Sequence, residues 1–266
     1  MSAARDMLRA LDAREPVDAP VLVLAAHPDD ETIGAGASLS LFRHLVIAHL
    51  TDGAPRDLRD ARAAGFADAA SYAAARRAEL RAALRSGDVT AELAELGAPD
   101  REAVLRMPEL ATALKRLLDQ FAPACVITHA YEGGHPDHDT ACLIARLACG
   151  VLERPPALVE MAGYFANVTG EMIVGGFLGE PAALVATLTP AERARREAML
   201  DCFSTQRATL APFRGMETES FRLAPPTDFT EPPNPGPLWY ERHGWEIDGA
   251  RWRALARQAR ATWTAA

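Results

Sequence analysis

The chain has 266 residues, of which 49% are hydrophobic and 24% are charged, proportions ordinary for a soluble globular protein. Its formal net charge of −8 argues against a general affinity for nucleic acid or anionic membranes. The longest apolar runs fall well short of the ~20 residues that a membrane span needs. The N-terminal segment lacks the apolar core of a signal peptide, and the four cysteines show no C-x-x-C spacing. We therefore expect a cytoplasmic protein without a membrane span.

Short apolar runs alternate with longer segments of helical length along most of the chain. The predicted strands are residues 21–26, 45–50, 91–96, 124–129, 156–165 and 171–177. The predicted helices are residues 34–43, 57–86, 109–121, 140–152 and 192–203. Apolar strands separated by helices predict an α/β fold, with a mostly parallel sheet covered by helices on both faces.

The C-terminal part of the chain has a different composition. Residues 224–237 are rich in proline and cannot form regular structure. Aromatic residues and a predicted helix over residues 250–261 follow. We divide the chain into a domain of residues 1–220 and an attached segment of residues 221–266. The proline-rich stretch is either an ordered strap over that domain or part of a contact between subunits, so a homo-oligomer is one expectation.

Two polar clusters follow predicted strands. The first is His27-Pro28-Asp29-Asp30-Glu31, and the second extends from Tyr131 to Asp139 and contains His135 and His138. In an open parallel sheet, ligands bind beyond the carboxyl ends of the strands. The clusters will therefore meet if their strands are near neighbours in the sheet.

Imidazole and carboxylate groups suit a divalent zinc, iron or cobalt ion, and a catalytic zinc needs three protein ligands. His27 and Asp30 can reach one point, and His138 can supply the third ligand. Asp29 is then placed to act as a base, and a protonated His135 to stabilise an oxyanion. Capping of the following helix by Asp29 or Asp30 is the simpler interpretation, but it does not explain a histidine in each cluster.

The sequence His27-Pro28-Asp29-Asp30-Glu31, followed by His135-Pro136-Asp137-His138, resembles the PIG-L/LmbE-like deacetylases over roughly residues 18–205. The resemblance implies a Rossmann-like, three-layer α/β/α fold. It also implies a zinc-dependent enzyme that removes acyl groups from sugars of the N-acetylglucosamine type. In that family pattern His27, Asp30 and His138 hold the metal, Asp29 is the general base, and His135 is an oxyanion stabiliser or general acid.

Further residues are candidates at such a site. Asp137 is expected to orient a histidine, as carboxylates next to metal ligands commonly do. The resemblance nominates Arg76, from its Arg-x-x-Glu helix, and Asp100 as contacts to the substrate. Some relatives have a tyrosine where this chain has glycine before the second histidine motif, so Tyr131 or Glu132 is the candidate to replace it. The isolated His49 is expected to have no special role, and Gln206 is expected in a surface turn, with a contact to substrate as the alternative.

The leading hypothesis is a zinc-dependent N-deacetylase that acts on a small-molecule amino sugar or its conjugate, with Fe²⁺ as the alternative metal. An amidase of a larger acyl or cysteinyl-sugar conjugate would use the same residues, so the sequence does not separate the two. A non-catalytic sugar-binding protein is the hypothesis from a different class. It would be expected to have lost a ligand or the base, and all five motif residues are present.

Overall fold

A seven-stranded sheet forms the centre of the structure, a computed structural model that describes residues 2–179 and 181–263. The strands of both sheets are β1 Val21–Ala25, β2 Leu45–Thr51, β3 Glu92–Ala98, β4 Cys125–His129, β5 Ala157–Met161, β6 Tyr164–Ala166, β7 Met172–Val174, β8 Leu184–Thr187 and β9 Thr218–Leu223. The order in the main sheet is β3-β2-β1-β4-β5-β9-β8, and β6 and β7 form a separate hairpin. The first five strands in that order are parallel, whereas β9 pairs antiparallel with β5 and β8.

Helices cover both faces of the sheet. They are α1 Ser2–Asp12, α2 Asp30–Ala35, α3 Arg59–Ala63, α4 Ala69–Ser86, α5 Met107–Phe121, α6 Pro136–Gly150, α7 Pro190–Asp201, α8 Arg207–Leu210 and α9 Gly249–Thr262. Alternate residues of β1 enter opposite cores: Val21 and Val23 pack with α1, α4 and α7, while Leu22 and Leu24 pack with α5, α6 and α9. A strand buried on both faces reads as a continuous apolar run. The predicted α/β fold with a mostly parallel sheet is confirmed.

Two helices start earlier in the chain than predicted, and their first turns contain the motif residues. The helix predicted over residues 34–43 is α2, which starts at Asp30, followed by a separate 3-10 turn at Leu39–Leu41. The helix predicted over residues 140–152 starts at Pro136. Acidic residues are favourable in the first turn of a helix, where backbone N–H groups are free. Because these residues are polar, the first turns of α2 and α6 were not recognised as helical from the sequence. As a result, the N-termini of α2 and α6 both lie at the polar clusters.

Two strands were not predicted, and two predicted elements are split. The segment 156–165 divides into β5 and β6, and the helix 57–86 divides into α3 and α4. Strand β9 was missed because it buries Glu219, Ser220 and Arg222, so it shows no apolar run. Strand β8 was missed as well. It is a short edge strand whose buried and exposed residues alternate.

The C-terminal segment packs against the start of α6. Trp252 of α9 is completely buried, and its indole N–H donates to Pro136 O at 3.1 Å and to Thr140 Oγ1 at 3.0 Å. The hydroxyl of Tyr131 donates to Glu231 O at 3.0 Å. The last residues of the predicted segment, 264–266, lie outside the described residues. Among the helices described, none is both long and apolar enough to cross a membrane.

Candidate active site

The two histidine motifs meet because their strands are adjacent. Strands β1 and β4 pair in parallel, with Leu24 opposite Thr128 at their carboxyl ends. The chain leaves β1 into His27 and α2, and it leaves β4 into the loop that leads to α6. This edge of a parallel sheet is where such folds bind ligands. The register of the sheet therefore joins residues that are more than 100 positions apart in the chain.

Asp30 bridges the two histidines at the centre of the cluster. His27 Nδ1 lies 3.0 Å from Asp30 Oδ2, and His138 Nε2 lies 3.2 Å from Asp30 Oδ1. All three side chains are buried. Burial alone would raise the pKa of Asp30, but the imidazoles of His138 and His129 lower it well below its ordinary value. The three predicted ligands therefore converge on one place.

The donor set fits a divalent cation. Within the described chain, three overlapping groups have ligand atoms within 4.8 Å of one another: His27, His135 and His138; His27, Asp100, His135 and Asp137; and Asp30, His129 and His138. Imidazole nitrogen and carboxylate oxygen are the ligands of zinc and ferrous iron. Buried carboxylates are costly unless a positive charge compensates them. The predicted set of His27, Asp30 and His138 is not itself one of these groups; it joins members of the first and the third, which share His138. A cation held by this set would supply the compensating charge.

Asp29 has an unusual backbone conformation beside this cluster. Its φ of 154° and ψ of −24° are a combination that residues other than glycine rarely adopt, and such outliers concentrate at functional sites. Arg76 donates to Asp29 Oδ2 at 3.0 Å, and the same guanidinium holds Pro28 O at 2.8 Å and Gly53 O at 3.1 Å. Burial raises the pKa of Asp29 to about 8, although Arg76 opposes the shift. Arg76 thus fixes the orientation of a carboxylate poised to titrate near neutrality.

A buried pair that the sequence did not reveal supports the backbone of Asp29. Glu31 Oε2 accepts a hydrogen bond from Asp29 N at 3.1 Å and lies 3.0 Å from His49 Nε2. His49 lies opposite Ala25 in the pairing of β1 with β2. The only signal in the sequence was the polarity of His49 inside an apolar strand, and its meaning depends on a register that the sequence does not state.

His135 caps α6 and faces the cluster. Its Nδ1 accepts a hydrogen bond from Asp137 N at 3.1 Å, so a neutral imidazole here carries its proton on Nε2. Burial and the nearby charge of His27 lower the pKa of His135 well below its ordinary value. Asp137 Oδ2 accepts from Arg101 N at 2.7 Å and lies 3.3 Å from His27 Nε2. His135 is therefore a neutral donor, and Asp137 lies against a histidine of the cluster.

Asp100 and His129 complete the cluster. Asp100 Oδ1 lies 3.2 Å from His27 Nε2. Burial alone would lower the pKa of His27, but Asp100, Asp137 and Asp30 together raise it well above its ordinary value. His129, which the sequence analysis did not single out, stacks on His138 with ring centroids 4.0 Å apart, and its Nε2 accepts from Ala26 N at 3.0 Å. Because that lone pair is used, His129 acts as a support for His138 rather than as a ligand.

A cavity of about 930 Å³ opens onto the cluster. Predicted site residues on its wall are His27, Asp29, Asp30, Arg76, Asp100, His135 and His138. Other walls come from α4, from the turns between Ser204 and Phe213, and from the C-terminal segment. Gln206 is not in a surface turn: it is buried, lines the cavity, and its amide nitrogen donates to Tyr72 Oη at 2.5 Å.

Tyr131 and Glu132 do not line this cavity. Tyr131 stacks on Trp252 with ring centroids 5.2 Å apart and belongs to the core beneath the C-terminal segment. Glu132 accepts a hydrogen bond from Leu178 N at 2.6 Å, and burial raises its pKa to about 8. Each side chain is committed to packing or to a backbone partner, so neither is carried forward as a substrate contact.

The fold is that of the LmbE-like deacetylases, and the site can be compared with them. Residues 22–149 match the model of the PIG-L family, described as GlcNAc-PI de-N-acetylase, and the chain contains this domain. The resemblance expected from the two motifs is confirmed. No curated protein matches the chain significantly.

Solved structures share this architecture. A deacetylase triple mutant from the teicoplanin biosynthetic pathway is 22% identical with a TM-score of 0.58, covering 76% of this chain and 96% of that chain. N,N'-diacetylchitobiose deacetylase from Pyrococcus horikoshii is 18% identical with a TM-score of 0.56, covering 84% and 92%. A zinc-inhibited form of teicoplanin deacetylase is 19% identical with a TM-score of 0.54, covering 76% and 96%. At these identities the likeness establishes the fold.

Proposed function

We propose that the protein is a metal-dependent hydrolase that removes an N-acetyl or other N-acyl group from an amino sugar or amino-sugar conjugate. The observation that carries the proposal is the bridge from Asp30 to His27 and His138, with Asp29 beside it. The description of the matching family and the names of the similar structures, which are sugar or glycoconjugate deacetylases, support the substrate class.

His27, Asp30 and His138 would hold the cation, and zinc is the first choice because two imidazoles and a carboxylate form one of its catalytic ligand sets. One similar structure is named as a zinc-inhibited form of a deacetylase, so ferrous iron is retained as the alternative. A divalent cation at this place supplies a Lewis acid that polarises the acyl oxygen and acidifies water.

Asp29 acts as the general base. It lines the cavity, and because burial raises its pKa, it binds a proton more readily than an ordinary carboxylate does. Asp29 takes one proton from the attacking water while the water oxygen bonds to the acyl carbon. When the C–N bond breaks, the same proton passes to the amine nitrogen. Water and the amide are thereby converted into a carboxylic acid and an amine.

His135 stabilises the negative charge that develops on the acyl oxygen. Its Nδ1 is occupied by Asp137 N–H, so Nε2–H is the donor available to the cavity. The lowered pKa of His135 favours the neutral imidazole over the protonated histidine expected from the sequence, and the role requires only that Nε2–H donor. Arg76 and Asp100 lie on the same cavity and are proposed to position the sugar, with Arg76 also orienting Asp29.

The experiment is an acetate-release screen over amino-sugar compounds with protein loaded with zinc or ferrous iron. We expect acetate and free amine in equal amounts, and loss of both after chelation. Turnover of longer acyl or cysteinyl conjugates, with N-acetyl compounds left intact, would favour the amidase. Binding of a sugar by metal-loaded protein without any product would favour the non-catalytic alternative.

Location and partners belong to the same proposal. The cysteines Cys125, Cys142, Cys149 and Cys202 are free, which is consistent with a reducing cytoplasm. A small-molecule amino-sugar substrate fits a cavity of this size, and the acidic net charge gives no reason to expect nucleic acid.

A further inference from the structure

The C-terminal segment supplies a wall of the cavity that the family match does not account for, since that match ends at residue 149. Trp239, His243 and Trp245 line the cavity. They belong to the stretch that follows the proline-rich residues, which contains no functional motif.

The rings of these residues contact one another in series, starting from His135. Trp245 meets His135 edge to face at 4.9 Å, His243 stacks on Trp245 at 4.7 Å with an interplanar angle of 21°, and Trp239 lies 6.2 Å from His243. We call Trp245, His243 and Trp239 the aromatic ladder. It leads from a residue beside the reacting centre to the exposed His243 and the half-buried Trp239.

Hydrogen bonds hold the ladder in place. Trp239 N donates to Gly133 O at 2.8 Å, in the loop that precedes His135. The carboxylate of Glu241 accepts from Leu238 N at 3.2 Å and from Gly249 N at 2.9 Å, closing the turn that carries the ladder. The rings are therefore presented by an anchored backbone.

Two guanidinium groups lie against the ladder, and that of Arg242 is 5.0 Å from the Trp239 ring centroid. The guanidinium of Arg101 lies 5.0 Å from the Trp245 ring centroid, and its two terminal nitrogens donate to Asp57 at 3.1 Å and to Asp60 at 3.0 Å. Arg101 is therefore committed to two carboxylates, and the three rings of the ladder offer ring surface more than hydrogen bonds. That surface favours a flat apolar group over a ring covered with hydroxyls.

The cavity has room for such a group beside a sugar. Its volume of about 930 Å³ is near the upper end of the ~300–1,000 Å³ that small-molecule sites occupy. We propose that the aromatic ladder is a subsite for an aromatic group linked to the amino sugar, so that the preferred substrate is an aryl-bearing conjugate. This inference rests on the proposed deacetylase function and narrows its substrate class.

The test compares matched N-acetylglucosaminides that carry para-nitrophenyl or methyl groups, with N,N'-diacetylchitobiose as a third substrate. The wild-type kcat/KM is expected to be at least about tenfold higher for the aryl than for the methyl compound. Trp239→Ala should lower that ratio roughly two- to tenfold, the range that one aromatic pair contributes. A variant that loses catalysis in general has a lower kcat/KM for both compounds, so the ratio of aryl to methyl is unaffected by that loss. Trp263→Ala is the matched control, since Trp263 is half-buried in the same segment but does not line the cavity, and its ratio should not change.

An unchanged ratio in Trp239→Ala, or equal wild-type kcat/KM for aryl and methyl compounds, overturns the inference and leaves the deacetylase proposal intact. A higher kcat/KM for N,N'-diacetylchitobiose than for the aryl compound also overturns the inference, because the ladder would then bind a second sugar ring. If no compound releases acetate, the proposed function fails. Calorimetry then gives the dissociation constants of the aryl and methyl compounds for wild type and Trp239→Ala. The inference holds if the wild type binds the aryl compound more tightly and Trp239→Ala reduces that preference, and it is overturned if the preference is absent or unchanged.

Discussion

The cluster at the ends of β1 and β4 differs from the wall built by the C-terminal segment. In the cluster, ionisable side chains are buried and held by short contacts, such as those of Asp30 with His27 and His138. In the wall, half-exposed rings contact one another at the cavity edge. The cluster lies within the family match, and the wall lies beyond it. We infer that the fixed donors of the cluster carry out the chemistry, whereas the more adaptable surface of the wall selects the substrate.

The two regions are nevertheless mechanically joined. The C-terminal segment docks on α6 through Trp252, and α6 carries His138 near its first turn. The same segment places Trp245 against His135. Changes in the cluster should abolish catalysis and leave the fold intact. Changes where the C-terminal segment docks on α6 should affect catalysis and the stability of the fold together.

The largest effect is expected from Asp29→Asn. Loss of a general base typically costs 10²- to 10⁴-fold in rate, so kcat should fall by about that factor. The amide can still meet Arg76, and the metal content by elemental analysis should remain that of the wild type. Asp119→Asn, an exposed carboxylate on α5, is the control and should keep full activity. Retained turnover in Asp29→Asn would remove Asp29 from the mechanism.

Trp252→Ala tests the mechanical connection. Truncating a buried tryptophan costs about 3–5 kcal/mol, and this one also loses two hydrogen bonds to α6. The free energy of unfolding from urea titration should fall by that order, together with the metal affinity of the cluster. The half-buried Trp239→Ala is the comparison and should lose much less. Equal losses in the two variants would show that α9 does not anchor the segment.

Metal binding should release protons. The carboxylates around His27 raise its pKa well above the ordinary value, and a ligand imidazole must be neutral on the coordinating nitrogen. Protons therefore compete with the metal, and the apparent affinity should weaken as pH falls, by about tenfold per pH unit for each proton released. Calorimetric titrations in two buffers of different ionisation enthalpy measure that number. Identical apparent enthalpies in both buffers would rule out the proton release.

The strand-end cluster was predictable from the sequence because both motifs directly follow apolar runs. An apolar run that ends in His27 or leads to His135 places these residues at one edge of a parallel sheet, whatever the details of the helices. The contribution of His49 was not predictable, since it depends on which residue of β1 pairs with β2. The aromatic ladder was not predictable either, because no periodic pattern states where a proline-rich segment packs.

Tyr131 and Glu132 were predicted to contact substrate, but neither lines the cavity. Their position next to the second motif suggested contact with substrate, but the chain turns between Tyr131 and His135, and Asp139 Oδ1 accepts from the N–H groups of Glu132 and Gly133 at 3.1 and 3.0 Å. That turn directs Tyr131 into the packing beneath the C-terminal segment and Glu132 towards Leu178 N. Proximity in sequence does not determine the side of a loop that a side chain faces.

The last prediction concerns the buried Glu132, which lies outside both regions compared. Burial raises its pKa from the ordinary value to about 8, although Arg222 lies 3.8 Å away. The folded state therefore holds a proton that the unfolded state releases, and the free energy of unfolding should fall as pH rises from about 4.5 to about 8. For one proton the slope is at most about 1.4 kcal/mol per pH unit. Glu132→Gln keeps an oxygen acceptor for Leu178 N and cannot ionise, so its stability relative to wild type should increase with pH over that window. Urea unfolding at a series of pH values measures the difference, and parallel pH profiles for the two proteins would mean that Glu132 is already ionised in the fold.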